Sequence, residues 1–225
     1  MAGAAPVHPA EAAPDEEAEE AGRLLFAKEC DFVAGAATVD ALPPDTLPEI
    51  AFAGRSNVGK SSLLNALTGR NALARVSHTP GRTQQLNFFD LGNRLMLVDM
   101  PGYGYAEASK AEIKRWTELI RVYLRGRASL RRACLLIDAR HGIKDTDRPL
   151  MKMLDETAVS YQVILTKADK VSAGELTRRL DAVHEELRGH VAAHPVVHLT
   201  SAHKGFGIAA LRAAMTALAS PPEPR

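Results

Sequence analysis

Residues 50–62 read Ile50-Ala51-Phe52-Ala53-Gly54-Arg55-Ser56-Asn57-Val58-Gly59-Lys60-Ser61-Ser62. Four apolar residues lead into a G-x-x-x-x-G-K-S run, and a helical segment, Ser62 to Thr68, follows directly. Between a strand and a helix this pattern has chemical meaning. Gly54 and Gly59 let the backbone curl so that successive N–H groups face inward, and the N-terminal end of the helix adds positive partial charge. Such a cradle, built from Gly54, Arg55, Ser56, Asn57, Val58, Gly59, Lys60 and Ser61, suits a polyphosphate. Lys60 is expected to reach the β- and γ-phosphates, and the Ser61 hydroxyl to ligate Mg2+.

Outward from this loop, short apolar runs alternate with longer segments of helical period. Strands are expected at Ile50–Ala53, Leu86–Asp90, Leu95–Asp99, Cys134–Asp138, Val163–Thr166 and Val196–Thr200, and a further edge strand at Phe32–Val39 before the Pro43-Pro44 turn. Helices are expected at about 59–69, 109–125, 145–157, 173–191 and 206–219, the last with Ile208, Leu211, Met215 and Leu218 on one stripe. Only Leu91, Gly92 and Asn93 separate the second and third strands, too few for a crossover helix, so those two pair antiparallel. The rest run parallel. The fold class is α/β: a three-layer P-loop domain with a six-stranded, mostly parallel sheet, one antiparallel strand, and helices on both faces.

A phosphate cradle alone does not choose a base. Thr166-Lys167-Ala168-Asp169 closes the fifth strand at the carboxyl edge of the sheet, where α/β folds take ligands. The Asp169 carboxylate can accept from both the ring N–H and the exocyclic amine of guanine, a donor pair that adenine lacks. Taken alone, Asp169 could equally cap the helix that begins near Ser172. Asp99-Met100-Pro101-Gly102 follows the third strand as D-x-x-G: Asp99 would hold Mg2+ through a water, and the Gly102 N–H would bond the γ-phosphate. The polar loop Ser77–Gln85 is long enough to fold over a nucleotide and supply a second hydroxyl to the metal. Loops ordered by γ-phosphate and Mg2+ and released on hydrolysis make a switch.

The whole chain has 225 residues, 46% hydrophobic and 24% charged, which fits one globular domain. The net charge of +1 averages two unlike parts. Residues 1–22 hold six acidic residues and no Lys or Arg, leaving 28 basic and 21 acidic residues in 23–225. The first 22 residues, rich in Ala, Pro and Glu, are expected to be a disordered tail, and residues 23–225 a single domain. The tail is too acidic for a transit peptide and lacks the apolar core of a secretory signal. No apolar stretch approaches the roughly 20 residues that span a bilayer. Two cysteines, Cys30 and Cys134, make no disulfide framework and suit a reducing cytoplasm. The basic body suits a polyanion, and its cations gather at Lys110, Lys114, Arg115, Arg121, Arg125, Arg127, Arg131 and Arg132; the alternative is a solvated helix face with pairs such as Lys114 to Glu118.

The runs Leu47–Ser62, Thr79-Pro80-Gly81-Arg82-Thr83-Gln84, Leu86-Asn87-Phe88-Phe89, Asp99-Met100-Pro101-Gly102-Tyr103-Gly104-Tyr105 and Thr166–Lys170 together resemble the EngB-type ribosome-biogenesis GTP-binding proteins of bacteria. The likeness covers nearly the whole chain from about residue 30. It implies a GTPase that binds GTP and GDP with Mg2+, acting as a switch in assembly of the large ribosomal subunit with rRNA as its contact. By position, Gly81, Arg82, Thr83, Gln84 and Gln85 become the first switch. Thr83 would be the Mg2+ ligand beside Ser61, with Thr79 as the alternative. Thr200-Ser201-Ala202 resembles the segment whose backbone contacts the guanine oxygen. Thr166 stands where Asn is usual, which removes an amide and implies weaker affinity. Tyr103 stands where a water-orienting Gln is found in Ras-like switches, so unaided hydrolysis is expected to be slow. Asn57 matches the position that in related GTPases holds K+ near the phosphates. The catalytic set so implied is Lys60, Thr83, Asn57 and Gly102. The rival readings are an ATP-dependent P-loop enzyme, which Asp169 opposes, and a nucleotide-gated interaction protein of cell division with negligible turnover. A monomer is the default, since the sequence carries no dimer signature.

Overall fold

The computed structural model describes residues 15–70, 73, 85–103 and 110–221. Helix α1 (Glu16–Phe26) and strand β1 (Cys30–Ala36) precede the phosphate-loop unit, β2 (Glu49–Gly54) and α2 (Lys60–Thr68). Then come β3 (Leu86–Leu91), β4 (Leu95–Asp99), α3 (Lys110–Gly126), β5 (Leu130–Asp138), α4 (Arg148–Glu156), β6 (Tyr161–Thr166), α5 (Ala173–Leu187), β7 (His198–Leu199) and α6 (Ile208–Thr216). The strands form one sheet in the order β1-β3-β4-β2-β5-β6-β7.

Strand β2 lies at the centre, parallel to β4 and β5, with every residue buried. Its side chains alternate. Ala51 and Ala53 join the core under α3, α4 and α5, with Ile120, Tyr123, Met151, Leu154 and Val183. Ile50 and Phe52 join the opposite core under α1, α2 and α6, with Leu25, Phe26, Leu64, Leu67 and Leu211. The result is the three-layer arrangement that a two-sided apolar central strand requires. In α2, Leu63, Leu64 and Leu67 are each no more than 1% exposed. Burying each contributes about 2 kcal/mol, so packing well behind the loop anchors the helix whose N-terminus the loop uses.

Strand β3 runs against the other six, pairing antiparallel with β1 and β4. The β3–β4 link is the three-residue loop Gly92-Asn93-Arg94, with Gly92 and Asn93 both at positive φ (59° and 55°) and Arg94 N donating to Leu91 O at 3.2 Å. The sheet has seven strands rather than the six expected, because β1 joins its edge. Its alternation is blurred by a register shift between Phe32 and Ala34, and it covers Cys30–Ala36 rather than Phe32–Val39. At the other edge β7 is only two residues long: the Val196 carbonyl accepts from the Gln162 side chain at 3.1 Å. Helix α4 starts at Arg148 instead of 145, since the Asp147 side chain closes a turn onto the Lys144 N–H at 2.8 Å. Helix α6 starts after Gly207, whose φ is 73°.

The expected disordered tail is corrected over residues 15–22; residues 1–14 lie outside the described set. Asp15 caps α1, its carboxylate accepting from Ala18 N at 2.7 Å, and Glu16, Glu17 and Glu19 stand in the first turn, where the helix dipole favours anions. Gly22 lets α1 lie on α6: a Cβ there would sit 2.8 Å from the Ala213 nitrogen. Leu25 and Phe26 then bury completely. Composition alone hid these few anchoring residues. Cys30 and Cys134 are separate buried thiols, and burial pushes them up to about 11 and about 12, which keeps them unreactive.

Candidate functional site

Gly54 ends β2 with no room for a side chain: a Cβ would lie 2.8 Å from Val58 Cγ1 and 3.0 Å from the Leu136 carbonyl. The chain then turns through Asn57 at φ 61° and Gly59 at φ 105° into α2. Lys60 opens that helix, nearly buried, and its ammonium pairs with the Asp99 carboxylate at the end of β4. Neither charge is left uncompensated in a dry place. Ser61 follows in the same first turn, so β2 and β4, being parallel neighbours, bring Lys60, Ser61 and Asp99 to one edge of the sheet.

The backbone after Asp99 lies on the phosphate loop. Met100 N donates to Phe52 O at 3.0 Å, Tyr103 N to Gly54 O at 3.3 Å, and Ser56 N to Tyr103 O at 3.1 Å. Gly102 sits so close that a Cβ would be 3.2 Å from Ser56 N. Met100, Pro101 and Gly102 are therefore held beside the loop, as the D-x-x-G reading requires. The Tyr103 side chain points elsewhere: its hydroxyl donates to Asp147 at 2.8 Å, and burial, reinforced by the Asp147 charge, raises its pKa far above the usual phenol range.

The far end of the site is built from the ends of β6 and β7. Thr166 donates its hydroxyl to the Val58 carbonyl at 2.6 Å, tying the base motif to the phosphate loop. Thr166, which lacks the amide of the usual Asn, is thus bonded to the loop through its hydroxyl. Lys167, in the left-handed region at φ 57°, donates to Asn57 O at 2.7 Å and lies 3.0 Å from Asp138 Oδ2. Burial pulls the Asp138 pKa upward, but hydrogen bonds from Arg140 and Lys167 outweigh it and hold the carboxyl well below the usual range. Ala168 N donates to Thr200 O at 3.1 Å, and the Ser201 hydroxyl donates to Asp169 at 2.6 Å, a bond that lowers the Asp169 pKa. A cleft of about 230 Å3 opens among Gly59, Thr166, Lys167, Asp169, Thr200 and Ala202.

The helix-capping alternative for Asp169 does not hold. Ser172 caps α5, and its own backbone and side chain engage Glu175 in a capping box. Asp169 is directed instead by Ser201. Gly81, Arg82, Thr83 and Gln84 of the expected first switch, and Thr79, lie outside the described residues. Gln85 lies immediately before β3, its amide donating to Asn87 at 2.9 Å. Sequence reasoning missed Asp138 and Asp147. Asp138 carried a signal, since it closes β5 at the same edge as Thr166; Asp147 carried none.

Of the cationic cluster, Lys114, Arg115, Arg125 and Arg131 are exposed, and Arg121 is partly exposed beside Glu118 at 3.6 Å. Arg127 is not part of this face. It is buried against Glu49 at 2.6 Å, donates to Pro43 O at 2.7 Å and lies over the Phe88 ring. Arg132 is half-buried and donates to Gln162 at 3.0 Å. The side chains of Lys110 and Ile113 lie outside the described set.

With this geometry in place, comparisons with known proteins agree. The family described as 50S ribosome-binding GTPase matches residues 49–167, and the elongation factor Tu GTP-binding domain matches residues 120–221. A probable GTP-binding protein EngB of Rhodospirillum rubrum is 63% identical over 207 residues, 90% of this chain and 90% of that one. Its counterpart in Cereibacter sphaeroides is 57% identical over 205 residues, 91% of this chain and 94% of that one. Among solved structures, a probable GTP-binding protein engB matches with a TM-score of 0.60 and 26% identity, over 75% of this chain and 97% of that one. Era in complex with MgGDPNP and 16S ribosomal RNA nucleotides shares the fold, with a TM-score of 0.57 and 21% identity over 79% of this chain and 58% of that one.

Proposed function

The chain belongs to the EngB family of P-loop GTP-binding proteins, and from that footing we propose that it is a slow, Mg2+-dependent GTPase whose nucleotide state times a step in assembly of the large ribosomal subunit. The observation that carries the reading is the convergence on one sheet edge of the Lys60–Asp99 pair, the Gly54–Ser61 loop and the Asp169–Ser201 pair.

In this reading the loop N–H groups and Lys60 bind the β- and γ-phosphates, and the Gly102 N–H meets the γ-phosphate. Asp169 accepts from guanine, and the Thr200–Ser201–Ala202 backbone faces the guanine oxygen. The Ser61 hydroxyl, Asp99 through water, and Thr83 would hold Mg2+, since hard oxygen donors are what that ion prefers, and Ser61 and Asp99 stand at the same edge of the sheet. When bound, that ion neutralises charge on the phosphates. Hydrolysis is slow because Tyr103, in the place of a water-orienting amide, has its hydroxyl engaged by Asp147. Asn57 would hold K+, whose charge would offset that of the phosphates, and Lys167 donates to the Asn57 backbone carbonyl at 2.7 Å.

The family name attached to residues 49–167 supports a ribosomal partner, and the face of Lys114, Arg115, Arg121, Arg125 and Arg131 supplies cations for rRNA phosphates. Among the described residues no helix is long and apolar enough to cross a membrane. The protein acts as a cytoplasmic monomer on this reading. Sedimentation with 50S particles tests it: pelleting with a non-hydrolysable GTP analogue, weaker pelleting with GDP, and loss on charge reversal of Arg121 and Arg125 are expected. Equal pelleting in both nucleotide states, or none, contradicts it.

A further inference from the structure

Asp147 is 0% exposed, sits one residue before α4, and belongs to none of the nucleotide-binding motifs. One carboxylate oxygen accepts from the Tyr103 hydroxyl at 2.8 Å and lies 3.3 Å from Arg55 Nε; the other accepts from Lys144 N at 2.8 Å. A fully buried carboxylate therefore joins the phosphate loop, through Arg55, to the residue that follows D-x-x-G, through Tyr103. On the backbone side of the same two residues, Ser56 N donates to Tyr103 O and Tyr103 N donates to Gly54 O.

We propose that Asp147 is a positioning residue: it pins Tyr103, and with it the backbone after D-x-x-G, onto the phosphate loop, so that Tyr103 is an anchor of the second switch and takes no part in hydrolysis. The pin holds the Tyr103 carbonyl on a loop N–H. A triphosphate competes for loop N–H groups and must draw Gly102 toward its last phosphate, whereas a diphosphate has no such phosphate. The pin thus favours the diphosphate state. This inference rests on the GTPase switch reading above. It adds the device that sets how readily the switch leaves its resting place, and it couples that switch to the start of α4.

The test uses the full chain with Tyr103→Phe, Asp147→Asn and the double variant. Tyr103→Phe removes one hydroxyl and leaves the Arg55–Asp147 pair intact, so it decides the matter even if Asp147→Asn fails to fold. Amide hydrogen exchange over residues 99–103, measured without nucleotide, is expected to speed up roughly tenfold in Tyr103→Phe, the loss of one charge-assisted hydrogen bond. Exchange in β5 and β6 should stay as in the parent. The double variant should exceed Asp147→Asn by less than tenfold, because the amide oxygen left by Asp147→Asn accepts from the Tyr103 hydroxyl only as a neutral group, so the bond that Tyr103→Phe removes is already weakened. The affinity for a non-hydrolysable GTP analogue relative to GDP should rise by a similar factor. Unchanged exchange at 99–103 in Tyr103→Phe, multiplying effects in the double variant, or an unmoved affinity ratio overturns the pin. Failure of the parent to bind guanine nucleotide would instead overturn the switch reading and leave the exchange result standing.

Discussion

Replacing Thr166 by valine keeps the shape of the side chain and deletes one hydroxyl. That hydroxyl donates to the Val58 carbonyl at 2.6 Å, with the Ile137 carbonyl at 3.3 Å as a second neighbour. Thr166 is 4% exposed, so water has little access to take its place. Leaving a buried acceptor unmet costs about 1–3 kcal/mol. For a chain of this length each kcal/mol lowers the melting temperature by roughly 2–4 °C, so a fall of about 2–12 °C is expected in nucleotide-free protein. Val58 belongs to the phosphate loop, so part of the loss should reappear as weaker GDP binding, up to about tenfold. Thr166→Ser restores the hydroxyl and loses only a methyl group, costing about 1 kcal/mol in stability while leaving GDP affinity at the parent value. Differential scanning calorimetry and a GDP titration on the same samples read both quantities. If the valine variant melted and bound GDP as the parent does, or if serine lost as much GDP affinity as valine, the claim that Thr166 ties the base motif to the loop would be wrong.

Asp169→Asn presents an amide donor to guanine where a carboxylate accepted; GDP affinity should fall at least about 100-fold, and a purine with a carbonyl in place of the exocyclic amine should recover part of it, read by competition titration. Glu49→Gln leaves the Arg127 guanidinium buried opposite a neutral partner, with Glu49 1% exposed and Tyr123 also bonded to it at 3.0 Å; a loss of about 3–5 kcal/mol in urea unfolding is expected. His198 is 4% exposed, and burial, aided by the charges of His194 and Arg132, pushes its pKa down to about 4. Since the unfolded chain takes up a proton near the ordinary value of 6.5 and the folded chain only near 4, stability should fall as pH drops through that window, by up to about 3 kcal/mol. Urea unfolding at pH 7 and pH 4.5 measures the slope, which His198→Asn should flatten.

The central strand and phosphate loop were legible because their chemistry is local. Gly54, Gly59 and Lys60 sit in one short run whose spacing is itself the signal, although Lys60 finds its partner Asp99 only in the fold, and the alternation of Ile50-Ala51-Phe52-Ala53 serves both faces of the sheet. Asp169 was legible because the run Thr166-Lys167-Ala168-Asp169 is contiguous, whereas its partner Ser201 was brought to it by the fold. The misses are residues whose role depends on what the fold brings to them. Asp147 reads as an ordinary residue before a helix, yet it meets Arg55 and Tyr103 from distant parts of the chain. Arg127 looked like one more surface cation until Glu49 and Phe88 closed over it. In α1, an acidic Ala-rich stretch resembled a tail because only Gly22, Leu25 and Phe26 make it pack. The short β7 was overestimated because a glutamine side chain, Gln162, bonds the Val196 carbonyl.

Isothermal titration of the purified chain with GDP and with ADP, each in Mg2+, weighs the account most directly. GDP should bind at one site, with ADP weaker by at least about 100-fold, since only guanine offers Asp169 two donors. Equal affinity for the two diphosphates, or binding of neither, would contradict the site described.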